Sequence, residues 1–123
     1  MKLREIQRLL QAEVVWGTEA LLETNIECAC SADLMSDVLA FGQPGQLLLT
    51  GLSNAQSVRT ADILEAKAIV YVRGKWPDEE GLELAMVKGI PVLSTKRMMY
   101  EACGILYTHG LLGILVSDTI KKE

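Results

Sequence analysis

Three polar steps interrupt the apolar second half of the sequence: Thr50-Gly51 closes "QLLLT", Arg73-Gly74 follows "AIVYV", and Ser94-Thr95-Lys96-Arg97 follows "IPVL". Hydroxyls, glycines and cations between a strand end and a helix start are the residue types that receive an anion. The first-turn N–H groups of the helix point outward there, and its dipole favours negative charge. Asn54 and Arg59 extend the first step. The candidate ligand-binding residues are therefore Thr50, Gly51, Asn54, Arg59, Arg73, Ser94 and Thr95, with Trp76 as a stacking face. A nucleotide or another small anion is the ligand class they fit. The competing structural reading is local. Ser53 and Gln56 have the spacing of a capping box, and Ser and Thr are standard helix caps. Neither G-x-x-x-x-G-K-[ST] nor G-x-G-x-x-G occurs, so a P-loop and a dinucleotide fingerprint are excluded.

Other chemistry is sparse. Cys28 and Cys30 are two apart on a predicted strand, so both thiols share a face. A zinc site needs about four ligands, and only Cys103 and His109 remain, so no metal site is expected and the cysteines read as small hydrophobes. His109, before Gly110, reads as a helix C-terminal residue. Ser36-Asp37 has no base within its spacing, and no paired carboxylates or Ser/His/Asp set emerges. The expectation is a protein with no catalytic residues and no cofactor.

The elements that would position these residues follow from periodicity. Leu3, Ile6, Leu9 and Leu10 predict an amphipathic helix over 2–12. "EVVWG" and "IECACSA" predict short strands, "ADLMSDVLAF" a short helix, and Gln43-Pro44-Gly45 a turn. "QLLLT", "AIVYV" and "IPVLS" read as strands covered on both faces. Val58, Ala61 and Leu64 mark the buried face of one intervening helix. Leu82, Ala85 and Met86 mark that of the other, which Asp78 caps and Gly89 ends. Strands alternating with helices through short loops mean a largely parallel sheet of about five strands in a three-layer α/β domain. A last helix, 97–109, is apolar around nearly its whole circumference, so it must be covered on more than one side. Either a homodimer contact or Leu111–Val116 folding back supplies that cover.

The 123 residues are half apolar but include one Phe, two Trp and three Tyr, so the core must be aliphatic. A net charge of -4 argues against nucleic acid and against an anionic membrane surface. No apolar run reaches about 18 residues, as a membrane span requires. The N-terminus lacks the continuous apolar segment of a signal peptide. An odd cysteine count does not suggest a disulfide framework, so a cytoplasmic protein with free thiols is expected.

At "SADLMSDVLAF", "PGQLLLTGLSNAQSVRTADIL", "KAIVYVRGKWPDEEGLELAMVKGIPVLSTK" and "MMYEACGILYTHGL" the chain resembles stand-alone DRTGG-domain proteins. The resemblance covers residues 1–113 and leaves 114–123 as a tail. The domain's namesake stretch falls at Asn25 to Ala32, which here reads "NIECACSA". The resemblance implies the α/β fold of the N-terminal domains of HPr kinase/phosphorylase and of Mur ligases. It also implies a regulatory, accessory or dimerising module, of the kind found in phosphotransacetylases and CBS-domain pyrophosphatases, with catalysis residing in other domains. Two functions stay open: a module that binds an anionic ligand, or a protein-interaction or homodimerisation domain whose surface is the 97–109 helix.

Overall fold

The computed structural model describes residues 1–114. The tail expected at 114–123 thus lies outside the described residues except for Ile114. The order is α1 (Leu3–Leu10), β1 (Glu13–Trp16), α2 (Glu19–Leu22), β2 (Cys28–Ser31), α3 (Met35–Phe41), β3 (Gln46–Thr50), α4 (Ala55–Ile63), β4 (Ala68–Tyr71), α5 (Glu79–Lys88), β5 (Val92–Ser94) and α6 (Met99–Thr108).

One five-stranded sheet has the order β1-β5-β4-β3-β2. The pairs β2–β3, β3–β4 and β4–β5 are parallel, and β1 joins β5 antiparallel. Leu47, Leu48, Leu49, Ile69, Val70, Val92 and Leu93 are buried because helices cover both faces. Each such aliphatic side chain contributes about 1.5–3 kcal/mol by leaving water. Alternation splits the core. Leu47, Leu49, Val70 and Leu93 pack with Leu3, Ile6 and Leu10 of α1, Leu22 of α2, and Ala102 and Leu106 of α6. Leu48, Ile69, Tyr71 and Val92 pack with Met35 and Val38 of α3, Val58 and Ala61 of α4, and Ala85 of α5. The three-layer, largely parallel α/β architecture is the one the sequence predicts.

Some local expectations are corrected. Met86 faces outward, 48% exposed, and Gly81 with Ala85 forms the buried stripe of α5 instead. The turn of helix α2 has no apolar periodicity to betray it, and it is held by Thr18, whose side chain accepts from the Leu21 N–H. On α6, Ala102 and Leu106 are buried and Met99 and Ile105 half-buried, while Tyr100 is 90% and Tyr107 64% exposed. The chain after α6 turns back: Leu111 is buried in the core, the Ala29 N–H donates to Leu112 O, and Ala29 bridges Gly113 in the parallel sense. Part of the expected fold-back over α6 is thus present; Leu115 and Val116 lie outside the described residues. Among the described residues no helix is long and apolar enough to cross a membrane.

Candidate functional site

Register brings the three polar steps to one edge. Thr50 pairs with Tyr71, Tyr71 with Ser94, and Ser94 with Glu13 of β1. The convergence read from the sequence is therefore real, yet the steps are used differently.

At the end of β3 the protein satisfies its own donors. Asp33, in the β2–α3 loop, accepts from Gly51 N–H at 2.7 Å and from Thr50 Oγ1 at 3.1 Å. Thr50 is fully buried, and its Oγ1 also accepts from Leu52 N–H. Sequence reading missed Asp33, since only the fold-back of its loop carries it to Gly51. The α4 cap is also corrected: Asn54, not Ser53, caps the helix by accepting from Gln56 N–H, and no Ser53–Gln56 capping box forms. Asn54 is thereby engaged locally. The Arg73 guanidinium lies over Gly51 and donates to its carbonyl at 3.3 Å, where a Cβ on Gly51 would collide with it. Arg59 stands apart in the groove between α4 and α5, paired with Glu80 at 3.6 Å.

Between the ends sits Tyr71. Ser57 Oγ donates to Asn54 O, so the Tyr71 hydroxyl donates to Ser57 Oγ at 2.7 Å. Burial pushes the phenol above its usual range.

The end of β5 is different. Ser94 Oγ donates to Lys75 O, and the buried Thr95 hydroxyl donates to Leu10 O at the end of α1 while accepting from Arg97 N–H. Arg73 and Gly74 both take left-handed conformations, φ 60° and 70°, and their N–H groups donate to Arg97 O and Thr95 O. A left-handed residue other than glycine costs about 1–2 kcal/mol, so this pairing holds the β4–α5 loop firmly against the β5–α6 loop. Beside it opens a cavity of about 560 Å³, lined among others by Gly74, Trp76, Ser94, Thr95, Lys96 and Arg97. Trp76 is half exposed there. Of the seven candidate residues, Ser94 and Thr95 line this cavity, and Arg73 adjoins it through Gly74. Thr50, Gly51 and Asn54 belong to the neighbouring strand end, and Arg59 to a separate groove.

The thiols do not converge. Cys30 packs with the α3–α5 layer, whereas Cys103 lies beside Ala29, Leu49 and Leu106 on the other face. Burial first, then Cys28 and Asp37, raises the Cys30 thiol above its usual range. Among the described residues no group of three His, Cys, Asp or Glu side chains is placed to hold a metal ion. His109 caps α6, its Nδ1 2.8 Å from Ile105 O, as its position before Gly110 predicts.

No protein-family model and no curated protein matches the chain. It is similar to the CBS and DRTGG domains of the regulatory region of Clostridium perfringens pyrophosphatase, a structure complexed with the activator diadenosine tetraphosphate. The TM-score is 0.73 at 20% identity, covering 95% of this chain and 51% of that one, so this chain spans about half of its length. Covered over nearly its whole length by that likeness, the five-stranded, mostly parallel sheet between two helical layers is a DRTGG-type α/β fold.

Proposed function

We propose that this protein is a non-catalytic regulatory or accessory module that binds a small anionic ligand, a nucleotide, at the carboxyl ends of its parallel strands. The carrying observation is the cavity beside β5, where Trp76 offers an aromatic face and Lys96 and Arg97 offer charge. Ser94 and Thr95 line it, and the Arg73 N–H ties the β4–α5 loop to Arg97 O beside it. That the Clostridium perfringens regulatory region is complexed with a nucleotide activator supports a regulatory role for the shared fold. Free thiols at Cys28, Cys30 and Cys103 fit a cytoplasmic setting.

The test is a nucleotide panel read by Trp76 fluorescence in a Trp16→Phe background, with thermal melting alongside. Ligand at a hundred times its Kd adds about 2.7 kcal/mol of stability, which raises Tm by several degrees. If no nucleotide changes either signal, the reading is wrong.

A second reading is self-association through α6, favoured by the exposure of Tyr100 and Tyr107. Those two tyrosines define the surface to be tested, because Leu106 is a core residue whose charged replacement would unfold the chain. Tyr100→Lys with Tyr107→Lys is expected to give monomer by sedimentation; an unchanged mass rules this surface out.

A further inference from the structure

We propose that the β5 cavity contains an oxyanion pocket, built from Lys96, Arg97 and the start of α6, that takes a phosphoryl group. The proposal deepens the nucleotide reading by assigning which part of the ligand is held and where. Three observations meet there. The cavity of about 560 Å³ is lined by Lys96 and Arg97, the two cations that follow β5. Among the described residues, Arg97 Nε is buried with no hydrogen-bond acceptor, and its Nη1 is 3.6 Å from Glu101 Oε2, too long for a hydrogen bond. A guanidinium N–H without an acceptor is costly, and the rest of this side chain, one-third exposed and lining the cavity, is left to pair with an oxyanion. The third is α6 itself, whose Met98 cap position supplies no side-chain hydrogen bond. Ala102 N–H is the first to close within the helix, onto Met98 O, so the three N–H groups before it have no intrahelical partner. Met98 also lines the cavity. A phosphoryl oxygen there meets backbone donors, a guanidinium and an ammonium together, with Trp76 left to face a base.

Glu101 is the built-in competitor. It lines the same cavity and approaches the same guanidinium. Removing its charge should therefore strengthen anion binding, an effect of opposite sign to the loss of Lys96 or Arg97.

The probe is inorganic phosphate, followed by ³¹P line broadening with the full chain. Wild type is expected to show saturable broadening. The double variant Lys96→Gln, Arg97→Gln should lose affinity tenfold or more, and Glu101→Gln should gain severalfold. Absence of saturable broadening in wild type overturns the pocket, as does unchanged affinity in the double variant. If the double variant melts early, Lys96→Gln alone carries the test, since Lys96 is exposed; unchanged affinity there overturns the pocket equally. A parallel arm compares adenosine with adenosine 5′-monophosphate by Trp76 quenching. Phosphate binding with no nucleotide binding leaves the pocket standing and removes the nucleotide reading. Nucleotide binding that ignores the double variant does the reverse.

Discussion

The carboxyl ends of β3 and β5 start from similar sequence, an apolar strand giving way to a hydroxyl residue and a helix, and they end in opposite electrostatic states. At β3 the chain supplies its own anion, the Asp33 carboxylate on Gly51 N–H and Thr50 Oγ1, and Asn54 caps the helix that follows. At β5 the hydroxyls of Ser94 and Thr95 turn inward to carbonyl oxygens, and the helix that follows has no side-chain cap. A strand-end hydroxyl next to a helix start is therefore no evidence of a ligand by itself. What matters is whether a nearby residue has already filled the seat.

The largest expected effect breaks both ends at once. Tyr71→Ala removes a fully buried ring from between them and should cost about 3–5 kcal/mol in urea unfolding. The milder Tyr71→Phe deletes the donor to Ser57 and should cost about 1 kcal/mol. It should also flatten the alkaline limb of stability. The phenol is raised in the folded state, so its contribution is complete below the unfolded value of about 10 and falls as pH climbs through the folded one.

Next, Asp33→Ala empties the β3 seat and should cost about 1 kcal/mol, because Gly51 N–H and Thr50 Oγ1 lose their acceptor. If stability does not change, the seat is not self-filled in solution. Met98→Asp runs the experiment in the other direction, making β5 resemble β3. A new cap on α6 should stabilise by about 1 kcal/mol and weaken phosphate binding by occupying the same N–H groups; a stabilised variant with undiminished phosphate affinity would uncouple the two. Smallest in stability is Lys96→Gln, expected within about 0.5 kcal/mol of wild type for an exposed side chain. A larger loss would make Lys96 a structural residue and erase the contrast between the two ends.

Much of this frame is legible in the residues. Continuous apolar runs such as Leu47–Leu49 and Ile69–Tyr71 signal strands buried on both faces, and the loop lengths leave parallel pairing as the natural outcome. Asp78 and Gly89 mark the ends of α5 as their side-chain chemistry and backbone freedom require. The division of labour between the strand ends is less visible. Asp33 lies 18 residues before Gly51, and no local pattern announces that its loop folds over the β3 end. Ser53 offered a capping box, but Asn54 one position later has the shorter reach to Gln56 N–H and takes the role. Arg59 looked one turn from the site, yet its direction on α4 sends it to Glu80. Each miss concerns where a polar side chain points, which depends on packing between elements, whereas the strands are set by patterns within them.

Thr95 deserves a mechanical reading. Its hydroxyl joins Leu10 O to Arg97 N–H, and Gly74 N–H holds its carbonyl. The first helix, the loop bearing Trp76 and the loop bearing Lys96 and Arg97 therefore share one rivet. A shift of the Arg97 backbone must strain or re-aim the bond to α1.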